Sequence, residues 1–339
     1  VYEIISREFI TNKIMTDMCH ASSLLKLKNG TILCAWFGGS KEGNDDVSIW
    51  MSKRKDNTWS IPVKITNEKN VHWNPVLFQH KSDEIVLFYK VGKEISKWRT
   101  MIKISHDDGI TWDKAYEMVK GDEGGRGPVR NKPIRLSNER ILAPGSLEGG
   151  IWSAFVDYSD DGGETWTKSN SIIIEGIVGS KFERTVRADE SNIQVSEQSF
   201  FGRGVIQPTL WESVKGNIHM LLRSTEGKIY RSDSNDYGET WIKAYETSLP
   251  NNNSGIDLAK LEDGTLVLVY NPIGINWGDR TPISLVISKD NGKTWSKLLD
   301  LDSGEGEFSY PAIIADGDEV FISYTWKRET IAFWRIKIK

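Results

Sequence analysis

Arginine, tyrosine, histidine and amide side chains recur in this chain at one kind of place, immediately ahead of an apolar run. His20, the triplet His72–Trp73–Asn74, the stretch from Arg126 through Arg130 to Lys132, Gln207, the run Asn251–Asn252–Asn253 and Tyr310 all stand there. Such groups are costly to bury without partners, so their recurrence points to a shared polar ligand site. Arg223, at the end of MLLRS, and Arg280, just ahead of TPISLVIS, add two guanidiniums. Arginine holds a carboxylate through paired, parallel hydrogen bonds, which suits an acidic sugar. One arginine alone reads as readily as an ion pair between neighbouring sheets; two that converge favour the anion site.

The loop GGSKEGNDD supplies carboxylates at Glu42, Asp45 and Asp46. Asp45 reads as solvated, whereas Glu42 or Asp46 has the chemistry of a general acid that protonates a leaving oxygen. His72 is equally a satisfied core histidine or a sugar contact. Trp36, Trp73 and Trp277 read first as core, with stacking against a sugar ring as the other role. No His, Cys and carboxylate cluster has metal-ligand spacing, so no metal or other cofactor is expected.

The elements that must position these groups follow from an internal repeat. S-x-D-x-G-x-T-W occurs at Ser105, Ser159, Ser234 and Ser288, with a degenerate copy, SKRKDNTW, at Ser52. The starts are separated by 53, 54, 75 and 54 residues, the period of a propeller blade with one insertion. Asp107, Asp161, Asp236 and Asp290 can close a turn by accepting backbone N–H bonds, and the glycine two residues on tolerates positive φ. The motif reads as a structural fastener, pinned by the tryptophan that ends it, and as neither a catalytic site nor a calcium loop.

A second repeat fills the other half of each unit. HASSLLKLKNGTILCAWF, NPVLFQHKSDEIVLFY, KPIRLSNERILAP, QPTLWESVKGNIHMLLR, SGIDLAKLEDGTLVLVY and YPAIIADGDEVFISYTW each read as two strands and a tight turn. Six copies predict an all-β, six-bladed β-propeller forming a single domain over residues 1–339. VYEIISREFI and IAFWRIKIK are expected to share the closing blade, which protects both edges. Residues 171–203 form the insertion. The first strand of each blade lines the central channel, so the polar residues above converge on its mouth.

Composition narrows the partners. With 43 basic and 47 acidic residues, the chain has no basic excess for a nucleic-acid backbone. No apolar run has the length of a membrane span, and the first ten residues read as a strand rather than a signal peptide. Cys19 and Cys34 read as buried thiols, and with no leader they favour the cytoplasm. Neither oligomeric state nor linkage specificity is legible.

Four Asp boxes at blade spacing, together with Arg223, Arg280 and Tyr310, resemble the sialidase superfamily, specifically sialidase-like proteins with Asp-box (BNR) repeats. The resemblance covers essentially the whole chain. It implies an arginine triad for a substrate carboxylate, an acidic loop residue as acid/base and a tyrosine nucleophile activated by a glutamate. Arg223 and Arg280 match the second and third arginines, Tyr310 in FSYPAI matches the nucleophile, and Glu42 falls where the acid/base stands. His20-Ala21-Ser22 occupies the place of the family's Arg-Ile-Pro, and Gln207 that of the activating glutamate. Glu183, Glu190, Glu197, Glu305 or Glu307 would then have to supply the carboxylate. The implied activity is exo-hydrolysis of a terminal acidic sugar, sialic acid or a related ulosonic or uronic acid, from an oligosaccharide or glycoconjugate. Elimination at a uronate, with His20 and Tyr310 as base and acid, and glycan binding without turnover are the alternatives.

Overall fold

Strands form where β-branched and aromatic runs alternate with turn signals. In the computed structural model, which describes residues 1–11, 15–80, 83–177 and 202–339, the chain is all-β. Among the described residues the one helical element is the short 3-10 turn Ile95–Lys97.

The strands fall into antiparallel sheets that follow chain order. One contains Met18–Lys26, Ile32–Gly39, Ser48–Lys55 and Thr58–Trp59, with Val63–Lys64 also on Ser48–Lys55. The next is His72–Gln79, Ile85–Val91, Arg99–Ser105 and Tyr116–Glu117. A larger sheet begins with Ile134–Arg135, Ile141–Glu148, Ile151–Ser159 and Thr167–Lys168. It continues through Arg203–Val214, Asn217–Ser224, Lys228–Ser234 and Tyr245–Pro250. Its halves meet through the parallel pairs Ile151 with Arg203 and Trp152 with Gly204. Asp257–Lys260, Leu266–Tyr270, Ile283–Ser288 and Ser296–Asp302 form a further sheet. The last comprises Phe308–Asp316, Glu319–Trp326, Thr330–Ile338 and, outermost, Tyr2–Phe9 from the other end of the chain. The pairing of the two chain ends is as the sequence predicts.

Hydrogen-bond ladders run within sheets, so apolar packing joins neighbours. Leu33, Phe37 and Ile49 pack on Leu77, Leu87 and Tyr89. Trp211, Leu221 and Ile229 pack on Leu258, Leu268 and Tyr270. Leu24, Cys34 and Trp36 pack on Phe321 and Phe333 of the sheet that holds both chain ends. Each such side chain contributes roughly 1.5–3 kcal/mol on burial, and the middle strands are apolar on both faces because each face meets a neighbour. Trp36 is therefore core, and Cys19 and Cys34 are buried, free thiols.

The Asp boxes are turns. Asp107 Oδ1 accepts from the backbone N–H groups of Ile110 (3.0 Å) and Thr111 (2.8 Å), and its Oδ2 accepts from the Thr111 hydroxyl (2.6 Å). The same bonds recur at Asp161, Asp236 and Asp290. Bonds from the Thr111 hydroxyl and backbone N–H lower the Asp107 carboxyl to about 2. Gly109 and Gly238 sit at φ +73 and +82, where a Cβ would crowd neighbouring side chains. The degenerate copy at Ser52 folds differently: Asp56 and Asn57, at φ 49 and 62, make a two-residue hairpin turn between Ser48–Lys55 and Thr58–Trp59. Of the insertion, Ile172 pairs with Ala154 and Ile174 with Ala244. Glu183, Glu190 and Glu197 lie outside the described residues.

Candidate active site

The innermost strand of several sheets carries one residue in left-handed backbone, where its ladder register breaks. Ala21 (φ 58), Asn74 (φ 40), Gln207 (φ 52) and Tyr310 (φ 53) each occupy such a break. A non-glycine residue held there costs on the order of 1–3 kcal/mol, and it persists only where the surroundings over-determine it. Arg130 and Asn131 are those surroundings. The buried Arg130 guanidinium donates to the carbonyls of Ser22 (3.0 Å), Tyr310 and Pro311 (2.8 Å). Asn131 Nδ2 donates to the carbonyls of Gln207 (3.1 Å) and Pro208 (3.0 Å). Asn74 Nδ2 in turn donates to the Val129 carbonyl (2.9 Å).

These breaks gather a cluster around Tyr310. Arg223 Nη1 donates to the Tyr310 hydroxyl (2.8 Å) and to Gln207 Oε1 (3.0 Å), while its Nε donates to Asn253 Oδ1 (2.9 Å). Asn253 Nδ2 is braced by Asn276 Oδ1 (3.0 Å). Among the described residues no acceptor takes the phenol hydrogen. Arg280 lies 5.2 Å from the Tyr310 ring centre and donates to Glu307 Oε1 (2.7 Å). Glu307 Oε2 accepts from Arg328 Nε (3.1 Å), and Arg328 Nη1 is ion-paired with Glu42. His20 stacks on Tyr310 with ring centres 4.1 Å apart, its Nδ1 2.9 Å from the Thr325 hydroxyl.

Electrostatics divides these groups. Burial, reinforced by Arg328, pushes His20 well below its ordinary value, so it is neutral. Burial alone would raise the Glu307 carboxyl, but Arg280 and Arg328 outweigh it and hold it well below the carboxylate range. Burial likewise opposes the charge on Arg328, yet Glu42 and Glu307 keep it protonated. Glu148, at the end of Ile141–Glu148, is raised by burial against the opposing field of Arg223.

Other residues singled out in the sequence have their side chains engaged elsewhere. Trp73 is 2 % exposed, packed against Trp98 and Phe37, and is core rather than a sugar platform. Arg126 is paired with Asp157 (2.6 Å) and donates to the Trp166 carbonyl (3.0 Å). Lys132 is bound to both oxygens of Asp257 (2.9 Å each), which also accepts from Thr209 Oγ1 and the Ile313 N–H. Asp46 fastens its own loop by accepting from the Ser40 backbone and hydroxyl (2.9 Å each). Arg130 is a positioning group beneath Tyr310, not a surface that meets ligand. His72 is buried, with Nδ1 2.7 Å from the Thr66 hydroxyl, and burial lowers it to about 4, which is the core reading. Glu305 is exposed, and Glu307 bonds to arginines and Ser309 rather than to Tyr310. Trp277 remains half-exposed, edge-on to Trp152.

Arg328 and Glu148 escaped the sequence reading. Arg223 ends the second strand of its unit, and Arg328 stands two residues past Trp326, the end of the corresponding strand in the last unit. That register was the available signal. Glu148 sits at the same end of Ile141–Glu148.

The BNR repeat-like domain family matches residues 30–322. Among solved structures, a protein of unknown function from Dyadobacter fermentans superimposes with TM-score 0.77 at 17% identity, covering 100% of this chain and 99% of that one. The Hadza microbial sialidase Hz136 superimposes with TM-score 0.74 at 17% identity, covering 95% of this chain and 66% of that one. A leech intramolecular trans-sialidase gives TM-score 0.69 at 14% identity, covering 98% and 70%. At these identities the superpositions establish fold alone. A sequence comparison with functionally curated proteins finds no match. The motif repeat and the family match across most of the chain together make this protein a member of the BNR repeat-like domain family.

Proposed function

We propose that the chain is a single six-bladed propeller and a glycoside hydrolase of sialidase-like type, which removes a terminal acidic sugar from a glycan at the mouth of its channel. The supporting observation is the Tyr310 hydroxyl 2.8 Å from Arg223, with Arg280 on its ring and Arg328 joined to Arg280 through Glu307. Around Tyr310 the guanidiniums of Arg223, Arg280, Arg328 and, beneath the ring, Arg130 stand against two arginine-paired carboxylates, Glu42 and Glu307. His20 and Gln207 add no charge, so the cluster has the capacity for one further anion, as a sugar carboxylate would provide. Tyr310 is the nucleophile in this reading. A substrate carboxylate that takes Arg328 displaces Glu42, which takes up a proton from solvent and passes it to the leaving oxygen.

The hydrolase reading is tested by fluorophore release from a fluorogenic sialic acid glycoside and from ulosonic and uronic acid analogues. Tyr310→Phe should lower turnover by about 10²–10⁴-fold. Arg280→Ala should chiefly raise KM. Undiminished turnover by Tyr310→Phe would remove Tyr310 from the chemistry.

A second reading has its own observation: neutral His20 lies against Tyr310, while Gln207 occupies the place of a base. Elimination at a uronate, with His20 and Tyr310 as base and acid and arginine neutralising the carboxylate, uses that pair. It predicts an unsaturated, ultraviolet-absorbing product from uronate glycans.

A further inference from the structure

At the far end of the strand that carries Gln207, a second constellation lies on three adjacent strands. Ser213 sits in a register break of Arg203–Val214, between Glu212 and Val214, the kind of irregularity that re-aims a side chain. Its hydroxyl is 2.7 Å from His219 Nε2, and His219 Nδ1 bonds to Asp233 Oδ1. His219 and Asp233 are direct cross-strand partners, and Trp211, the partner of His219 on its other side, stacks on the imidazole at 5.0 Å.

The neighbours select a tautomer. Trp211 Nε1 donates to Asn291 Oδ1 (2.7 Å), which turns the Asn291 amide nitrogen toward His219 Nε2 (3.2 Å). The Asp233 carboxylate at Nδ1 and the Asn291 amide at Nε2 both favour the ring proton on Nδ1, against the Arg231 Nη2 donor that also faces Nδ1. Arg231 donates from Nε to Asp233 Oδ1 (2.9 Å), its Nη2 also lies 2.9 Å from His219 Nδ1, and Tyr245 donates to Asp233 Oδ2 (2.6 Å). Burial alone would raise the Asp233 carboxyl; bonds from His219, Tyr245 and Arg231 lower it to about 2, so it is ionised. A hydroxyl, which also reaches the Asn217 carbonyl at 3.4 Å, an imidazole whose unprotonated nitrogen faces both that hydroxyl and the Asn291 amide, and a carboxylate behind it are the parts of an activated serine nucleophile.

Ser213 opens into a cavity of about 490 Å³, whose wall also includes Lys260, Asp263, Thr265, Lys289 and Asn291. Lys260 Nζ is anchored to the Glu212 carbonyl (2.6 Å), beside the nucleophile. Two ammonium groups against the single carboxylate of Asp263 leave the wall with an excess positive charge, which suits an anionic carrier and the negative charge that develops on an attacked carbonyl oxygen.

We infer that Ser213, His219 and Asp233 form a second catalytic site, a serine esterase that cleaves short acyl esters borne on anionic molecules. Ser213 Oγ attacks the ester carbonyl carbon and its proton passes to His219 Nε2. The carbon–oxygen bond to the alcohol breaks and His219 returns that proton to the departing oxygen. Water then attacks the acyl-serine, His219 takes its proton, and the bond to Oγ breaks. Ser213 recovers a proton as the carboxylic acid leaves. The sum is ester plus water to acid plus alcohol.

The test treats the full chain with a fluorophosphonate, maps the adduct by peptide mass spectrometry, and follows p-nitrophenyl acetate hydrolysis in wild type, Ser213→Ala and Asp233→Asn. An adduct on Ser213 with turnover reduced at least about 100-fold in both variants supports the site. An adduct elsewhere, or none on wild-type protein with no turnover above the Ser213→Ala rate, overturns it. Should Ser213→Ala fail to fold, as its melting curve would show, the position of the wild-type adduct decides.

Discussion

Glu307 does two things at once. It holds Arg280 and Arg328 apart at a fixed spacing, and it offsets part of the charge that would otherwise repel them. Breaking a buried pair of this kind by removing one partner costs about 3–5 kcal/mol. Glu307→Gln should therefore be less stable at neutral pH, read by urea unfolding. The sign of its pH dependence follows from the lowered carboxyl. Because Glu307 stays ionised in the fold below the range where it protonates in the unfolded chain, its contribution is complete above about pH 4.5 and is lost as pH falls further. Wild type should lose more stability than Glu307→Gln between about pH 5 and pH 3. A variant with an unchanged acid limb would place the protective charge on another carboxylate. Tyr310, Arg223 and Arg280 stood out in the sequence because their types are unusual ahead of, or at the end of, apolar strands. The pairing of Glu307 with two arginines was hidden, since a glutamate two residues from a serine has no local signature.

At the scale of elements, the two turn types separate what an Asp box contributes. Asp236 accepts from the Glu239 and Thr240 N–H groups (3.0 Å each) and the Thr240 hydroxyl, so Asp236→Ala leaves several donors unpaired. Those donors are exposed and turn to water, so the expected cost is about 0.5–1.5 kcal/mol in thermal or urea unfolding, with no change in substrate KM. The degenerate copy behaves differently. Asn57 holds φ 62 in a two-residue hairpin, a backbone that glycine also accepts, so Asn57→Gly should change stability by no more than about 0.5 kcal/mol. A large loss there would mean that the Asn57 side chain, rather than its backbone, carries the turn. Both turns were legible as turns. That one lacks the Asp-box bonds follows from its sequence too, because no aspartate stands two residues after Ser52.

At the scale of the molecule, polar links on several strands join the last sheet to the first, among them Ser22 with Ser323 and His20 with Thr325. Glu8, on the outermost strand of the last sheet, accepts from Arg54 through both oxygens (3.0 and 2.6 Å) and from Trp59 Nε1 (2.9 Å), both on the first sheet. Beneath them lies the apolar cluster of Leu24, Trp36, Phe321 and Phe333. Glu8→Ala should lower Tm by roughly 2–5 °C and speed amide exchange in Tyr2–Phe9 and Thr330–Ile338 before other strands. Uniform acceleration across all sheets would instead indicate a global loss of stability with no local opening at this junction.

The sequence by itself determined the all-β class, the repeating hairpins, the Asp-box turns and the pairing of the chain's two ends. These follow from hydrophobic period and turn chemistry, which act over a few residues and repeat down the chain. Only the tertiary structure decided which polar groups meet. Glu42 and Arg328 are separated by 286 positions, and Arg130 supports the Tyr310 carbonyl across 180. It turned Lys132, Asp46 and Trp73 from sugar contacts into a buried ion pair, a loop fastener and core. It also brought Ser213 to His219 through a break in strand register. The physical reason is that a side chain's partners depend on the position and register of the sheets beside it, and composition and periodicity do not record either.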